Sequence, residues 1–429
     1  MVKDPTNLFS QQRQKEIYLQ GLEGREPILP ASPKALRKKA GEKLSKEAFG
    51  YLAGGAGMED TMSSNRRAFK TWEIVPNMLR DVSDIDTSIV LFGKRRITPF
   101  LLAPIGVLEL FHKMADLAVA RAAAAEQVPV IFSSQASVSM ERCAAEMDQE
   151  SRWFQLYWSK NNNLVRSFVK RAEETDCEAI VLTLDTTMLG WRPRDLDHAY
   201  LPFLEARGIA QYVSDPVFRE MMQENNLKME DQSTFSLSSL YTLYKMSKNY
   251  PGSTLGNMIN RKPVKAVQTF INTYTRPSLE WDDLPFLRDL TELPILLKGV
   301  LSGDDAMKAL DYGMDGLIVS NHGGRQVDGA VAALEVLPSI VQRVDGRVPV
   351  LFDSGIRTGS DIFKALALGA EAVLIGRPYA YALTVAGEAG VRSLIRNLRA
   401  EFELSMGLSG CRSVDQLSAG KLRKRKNIE

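Results

Sequence analysis

"PVLFDSGIRTGSDIFKALALGAEAVLIGRP", residues 349–378, holds one full unit of this chain's architecture. A short apolar run ends in Asp353, Ser354 and Gly355. A stretch of helical period follows, "GSDIFKALALGAE", with apolar residues three and four apart. A second apolar run then ends in Gly376 and Arg377. Runs apolar on both faces and joined through a helix are the pattern of buried parallel strands. Six more such runs precede this pair: "PFLLAPIGV" (99–107), "PVIFSSQA" (129–136), "RWFQLYW" (152–158), "AIVLTLDT" (179–186), "PILLKGV" (294–300) and "GLIVSNHGG" (316–324). Helical stretches such as "ADLAVARAAAAEQ" lie between most of them. Eight strand–helix units predict a closed (β/α)8 barrel of the TIM type rather than an open doubly wound sheet.

Most runs start about 20–35 residues after the previous one, the size of one strand–helix unit. The exception is the gap from 186 to 294. Its middle, 195–280, is polar and mixed, and reads as an insertion after the fourth strand. In a barrel that position overlies the C-terminal mouth, so a lid is expected rather than a second domain. The expected organisation is an N-terminal arm and helix over 1–60, a barrel over 61–415 carrying the 195–280 lid, and a basic tail over 416–429, solvated and frayed. The first 30 residues look irregular. "SPKALRKKAGEKLSKEAFGYLAGGAG" (32–57) then reads as one helix, capped by Ser32, with Pro33 in its first turn and Gly54, Gly55 and Gly57 at its end. Tyr51 falls in its last turn.

Composition narrows the function. The 429 residues carry a formal net charge of +2, which argues against an obligate nucleic-acid partner. No apolar window is long enough to span a membrane, and the polar start is unlike a signal peptide. The three cysteines, Cys143, Cys177 and Cys411, form no disulfide ladder and no paired metal motif, so a reducing, cytoplasmic setting without metal is expected. No glycine fingerprint of a nicotinamide site or a P-loop occurs.

The informative residues collect at the ends of the apolar runs. The second run ends in Ser133, Ser134 and Gln135. The third carries Gln155 and Tyr157, two apart and so on one face, and the fourth carries Thr183 and Asp185 in the same relation. Lys298, Ser320 with His322, Asp353, and Gly376 with Arg377 close the last four. Any one of them alone would read as a solvated charge or a cap. A barrel brings all the strand ends to one mouth, which is where barrel active sites lie. Gly355, Arg357, Gly376 and Arg377, after the seventh and eighth strands, suit a phosphate. His112 and His198 read as idle.

The segments "SNHGGRQ" (320–326), "FQLYW" (154–158), "LTLDT" (182–186), "LLKGV" (296–300), "LFDSGIRTG" (351–359) and "IGRP" (375–378) together resemble the FMN-dependent 2-hydroxy acid oxidising family, which includes glycolate oxidase, lactate oxidase and flavocytochrome-type lactate dehydrogenases. The resemblance runs in collinear order over roughly residues 35–415. The flanks "QGLEGREPILP" (20–30) and "LGWRPRDLDHAYLPFL" (189–204) are most similar in pattern to the lactate 2-monooxygenase branch, which decarboxylates its product before release.

The resemblance implies a role for each strand-end residue. His322 would be the general base, paired with Asp185. Arg325, Arg192 and Tyr51 would bind the substrate carboxylate, and Tyr157 would face the hydroxyl that becomes the keto group. Lys298 would lie beside the flavin N1–O2 edge and stabilise negative charge there. Ser133, Gln155, Thr183 and Ser320 would bond the ring or ribityl chain, and the backbone at Ile105 and Gly106 would face N5. Asp353, Ser354, Gly355, Arg357, Gly376 and Arg377 would hold the ribityl and phosphate. The implied partners are a small 2-hydroxy acid, lactate-like or larger, and O2, in a homo-oligomer of four or more chains. The short leader leaves no room for a haem domain, so direct reaction with O2 is expected ahead of a separate acceptor.

Two positions depart from the family pattern. Gln135 stands where glycolate oxidase has a pocket-shaping tryptophan, and Gly106 stands where simple oxidases have alanine. The missing methyl is expected to widen the space near N5 and favour coupled decarboxylation. Two other chemistries remain open on the residues alone. A phosphate-binding isomerase or aldolase would use Lys298 as a Schiff-base nucleophile, but leaves Tyr51, Arg192 and Arg325 without work. A non-catalytic flavin or phosphate-ester binding barrel makes the His322–Asp185 pair unnecessary.

Overall fold

The computed structural model describes residues 8–224 and 237–425. Residues 225–236 of the expected lid, the last four of the basic tail and the first seven of the leader lie outside the described residues. Eight parallel strands close into a barrel in sequence order: β1 (Phe100–Leu102), β2 (Val130–Phe132), β3 (Arg152–Leu156), β4 (Ile180–Thr183), β5 (Ile295–Val300), β6 (Gly316–Val319), β7 (Val350–Phe352) and β8 (Ala372–Ile375). The predicted (β/α)8 fold is the one observed.

The period of two along each strand builds both the core and the site. Leu101, Ile131, Trp153, Val181, Leu296, Ile318, Leu351 and Leu374 point inward and form a core of their own. Their neighbours Leu102, Phe132, Phe154, Leu182, Leu297, Val319, Phe352 and Ile375 belong to the outer core, against the helices. Two residues beyond each inward residue stand Ala103, Ser133, Gln155, Thr183, Lys298, Ser320, Asp353 and Gly376. Side chains alternate faces in a strand, so these too project inward, one layer closer to the C-terminal mouth.

Three local expectations need correction. The leader is not irregular: α1 (Phe9–Leu22) lies against the long helix Arg377–Leu408. It docks through polar contacts, with Ser10 N–H on Glu403 at 2.6 Å, and Arg13 on Asn397 at 2.8 Å and Ser393 at 2.9 Å. The single helix expected over 32–57 is two, α2 (Pro33–Lys43) and α3 (Lys46–Ala53). Leu44 is extended, and Ser45 restarts the helix by accepting the Ala48 N–H at 3.2 Å. The basic tail is not frayed throughout, because Leu422–Lys424 pairs antiparallel with Trp72–Ile74. A further helix, α4 (Asp60–Lys70), follows the Gly54–Gly57 turn.

The segment between β4 and β5 is mostly helical and carries its own apolar cluster. Tyr212 packs edge-on against Phe270 at 4.8 Å, Phe218 at 5.5 Å and Phe168 of the barrel helix Asn162–Glu174 at 5.1 Å. Arg171 of that barrel helix pairs with the buried Asp215 at 3.0 Å. The far side of the cluster, Phe203 and Tyr274, reaches the barrel mouth. No helix among the described residues is long and apolar enough to cross a membrane.

Candidate active site

The turn after β6 sets the geometry. His322, Gly323 and Gly324 are three consecutive left-handed residues, with φ of 57°, 65° and 74°. A side chain at Gly324 would place its Cβ 2.6 Å from Met62 N, so only glycine fits there. The turn is pinned on both sides. Asn321 and Asn65 of α4 exchange amide hydrogen bonds at 2.7 and 2.8 Å, and Ser354 Oγ accepts from Asn321 N at 3.2 Å and Gly323 N at 3.0 Å. That support holds His322 in a conformation unfavourable for a residue with a Cβ.

His322 Nδ1 lies 2.8 Å from Asp185 Oδ1. The carboxylate assigns the proton to Nδ1 and leaves the lone pair on Nε2. Burial pushes the His322 pKa below its ordinary value, with help from Lys298 and Arg192, and Asp185 only partly opposes this. The ring is therefore neutral near pH 7. Burial works against the Asp185 carboxylate, but His322 and Lys298 outweigh it and hold its pKa low. Room for Asp185 comes from Gly299 in the β5 bulge, where an added Cβ would stand 3.0 Å from Asp185 Cβ.

Lys298 Nζ donates to Ser320 Oγ at 3.0 Å and pairs with Asp353 Oδ2 at 3.1 Å, while Ser320 Oγ donates to the same Oδ2 at 2.7 Å. Burial would lower the Lys298 pKa, yet Asp353 and Asp185 raise it overall. A Schiff-base lysine needs a neutral amine, so this environment disfavours the aldolase reading.

Four guanidinium groups, Arg192 buried and Arg325, Arg357 and Arg377 half-buried, gather in two pairs. Arg325 Nη1 donates to the carbonyls of Tyr51 at 2.6 Å and Gly54 at 3.0 Å, with its guanidinium 5.1 Å from the Tyr51 ring centre. Arg192 bonds Gln326 Oε1 at 3.0 Å, and Gln326 in turn donates to the Asp185 and Met188 carbonyls. Burial and then Arg192 push Arg325 down to about 9. In the second pair Arg377 donates to the carbonyls of Leu52, Gly54 and Gly323, and Arg357 to that of Ile356. Burial and Arg377 push Arg357 down to about 10. None of the four has a carboxylate within ion-pair distance among the described residues. Such crowding disfavours like charges and favours an incoming anion.

These groups face one cavity of about 1040 Å³, open to solvent. Of the expected residues, Tyr51, Ile105, Gly106, Tyr157, Arg192, Lys298, His322, Arg325, Asp353, Ser354, Gly355, Arg357, Gly376 and Arg377 line it. Ser133, Gln155, Thr183, Asp185 and Ser320 are not among its lining residues and sit at the strand ends next to those that are. Three polar atoms here are buried without a partner: Gln155 Nε2, Thr183 Oγ1 and Asp185 Oδ2. Gln155 Oε1, by contrast, accepts from Ser133 Oγ and Ser134 N. Two arginine pairs that meet at the Gly54 carbonyl, a cation between acidic groups and unpartnered polar atoms at the strand ends fit an anionic cofactor with a polar ring edge beside an anionic substrate.

The expectation for Gly106 is corrected. A methyl there would lie 2.9 Å from Gln135 Cβ and 3.1 Å from its carbonyl oxygen. The room is occupied, so Gly106 admits Gln135 rather than widening the cavity. Gln326, Asn65, Phe203 and Tyr274 also belong to the site and are not among the expected residues. Gln326 ends the histidine segment 320–326, so local sequence carries a signal for it. The other three meet the site only through long-range packing.

Likeness to known proteins agrees with this geometry. Residues 40–424 match the FMN-dependent dehydrogenase family. The chain is 40% identical to an FMN-dependent alpha-hydroxy acid dehydrogenase, qulF, of Penicillium citrinum, over 96% of this chain and 94% of that one. It is 39% identical to an L-lactate oxidase of Lysinibacillus sphaericus, over 92% and 93% of the two chains. A crystal structure of mandelate oxidase superposes with a TM-score of 0.76 at 36% identity, covering 93% of this chain and all (100%) of the other. With likeness of this extent on the same barrel, the chain belongs to the FMN-dependent dehydrogenase family, and it is an FMN-dependent 2-hydroxy acid oxidoreductase.

Proposed function

We propose that the protein oxidises an L-2-hydroxy acid, lactate-like or larger, to the 2-keto acid, with O2 as the final oxidant. The carrying observation is that one cavity wall holds a neutral His322, oriented by Asp185, together with the Arg192–Arg325 pair. The arginines and the Tyr51 hydroxyl hold the substrate carboxylate. His322 Nε2 takes one proton, and Asp185 stabilises the imidazolium that forms. Burial raises the Tyr157 pKa, with help from Asp185, so its hydroxyl stays protonated and donates toward the substrate oxygen.

Bound FMN supplies the two-electron acceptor. Lys298 would supply positive charge to the flavin ring, Arg357 and Arg377 with Ser354, Gly355 and Gly376 would hold its phosphate, and Asp353 would bind the ribityl chain. Ser133, Gln155, Thr183 and Ser320 would bond the ring or ribityl chain, and the Ile105–Gly106 backbone would face the ring. In balance, the acid loses two electrons and two protons, and O2 takes both to become hydrogen peroxide. The 195–280 segment acts as the lid.

The test is optical. Purified protein is expected to be yellow and to bleach when an L-2-hydroxy acid is added without oxygen. A yellow protein that no such acid bleaches is a flavin binder, and this reading fails. Coupled decarboxylation is a second reading, favoured by Phe203 and Tyr274 lining the same cavity, where they can retain the keto acid. Measured together in air, carbon dioxide without peroxide supports it, and stoichiometric peroxide rejects it. Reoxidation only by an added dye would replace O2 with a separate acceptor.

A further inference from the structure

One polar group in the cavity wall has no task in this scheme. Gln135 is buried, and its backbone is engaged: its N–H donates to Ser133 Oγ at 3.0 Å, and its carbonyl accepts from Val107 N–H at 2.9 Å. Among the described residues no hydrogen bond engages its side-chain amide, although the residue lines the cavity. Gly106 makes this placement possible. A methyl there would stand 2.9 Å from Gln135 Cβ and 3.5 Å from Oε1.

The surroundings limit what the amide can meet. The lining of the same cavity includes Phe111, Leu189, Phe203 and Tyr274, which suit an apolar or aromatic group. The cations of the cavity have other work: Lys298 is paired with Asp353, and the four arginines form the two pairs assigned to the carboxylate and the phosphate. A second carboxylate on the substrate would find no free counter-charge. A purely hydrocarbon side chain would strip water from the amide and return nothing, which is unfavourable.

Resting on the function proposed above, we infer that Gln135 reads an uncharged hydrogen-bonding group on the substrate's side chain. The substrate class is a 2-hydroxy acid with an aryl group that carries a hydroxyl or a similar polar substituent. Gln135 is then a specificity-determining residue, and Gly106 is the position that admits it.

The experiment is anaerobic flavin reduction with matched acids: 4-hydroxyphenyllactate against phenyllactate, and 4-hydroxymandelate against mandelate. In the wild type, the hydroxylated member of at least one pair is expected to be favoured about tenfold in reduction rate over dissociation constant. In Gln135→Leu that ratio falls to near one. Gly106→Ala, whose methyl displaces Gln135, lowers it as well. A ratio near one in the wild type for both pairs overturns the inference, even if Gln135→Leu does not fold. A wild-type preference that survives both substitutions overturns it too. If no acid reduces the flavin at all, the functional reading itself has failed, and the two failures are told apart by whether phenyllactate or lactate bleaches the protein.

Discussion

At the ends of β5, β6 and β7 the polar side chains close on one another, whereas at the ends of β3 and β4 each leaves one polar atom unpartnered among the described residues. Lys298, Ser320 and Asp353 close a triangle of contacts at 3.0, 2.7 and 3.1 Å. On the adjoining strands, where Thr183 sits in register with Lys298, Gln155 Nε2, Thr183 Oγ1 and, just past β4, Asp185 Oδ2 are buried with no partner among the described residues. An unsatisfied buried polar group costs about 1–3 kcal/mol. The closed cluster is therefore part of the folded scaffold, while the neighbouring strand ends keep polar atoms that can bond a ligand's polar edge. His322 joins the two, with its N–H on Ser320 Oγ at 3.0 Å and its ring on Asp185 at 2.8 Å.

The largest effect is expected where the two groups of strand ends meet. His322→Ala should slow flavin reduction by about 10²–10⁴-fold, the usual contribution of a general base, while the protein stays yellow. Fast bleaching in the variant would remove His322 from that role. The pH dependence has a definite sign. Only the neutral ring accepts a proton, so reduction falls as pH drops through the His322 pKa. Burial has moved that pKa below 6.5, so the acid limb lies under pH 6.5 and the rate is flat near pH 7. Asp185 is what holds the value up, so Asp185→Asn should shift the limb further toward acid and lower the plateau. Stopped-flow reduction between pH 4.5 and 8 reads both, and an upward shift would contradict the assignment.

The closed cluster is tested next by removing its charge. Lys298→Met leaves the half-buried Asp353 carboxylate without its cation, a loss of about 1–3 kcal/mol. The loss should appear in urea unfolding of the apoprotein as well as the FMN-loaded protein. A deficit seen only in the loaded form would mean that Lys298 serves the cofactor alone.

What could be read in the sequence divides along similar lines. Strand-end residues were legible because period two is a local rule: once Leu296 or Ile318 is placed inward, Lys298 and Ser320 must follow. The histidine turn was legible because its glycines announce left-handed backbone, as the φ values of Gly323 and Gly324 bear out. The partners of these residues were not. The Asn65–Asn321 clasp joins positions 256 apart, and no local pattern encodes it. The Leu44–Ser45 break interrupts an unbroken helical pattern, and α1 docks by Arg13 and Ser10 rather than by an apolar stripe. Gly106 misled because an absent methyl reads as space until its neighbour, Gln135, is placed.

The smallest expected effects separate the two groups most cleanly, because two hydroxyl deletions should act with opposite sign. Ser320→Ala removes a group that accepts from Lys298 and from the His322 N–H and donates to Asp353, so the apoprotein should lose about 1–2 kcal/mol. Thr183→Val removes a hydroxyl that has no partner among the described residues. Its shape is kept and a buried desolvated group is gone, so the apoprotein should be unchanged or more stable by about 1 kcal/mol. On the role proposed for Thr183, FMN loses a hydrogen bond, and its affinity should fall about three- to tenfold. Urea unfolding of the apoproteins, with FMN titration followed by flavin fluorescence, measures both quantities. If Thr183→Val weakened the apoprotein as Ser320→Ala does and left FMN binding untouched, the Thr183 hydroxyl would belong to the scaffold, and the contrast between the neighbouring strand ends would be lost at that position.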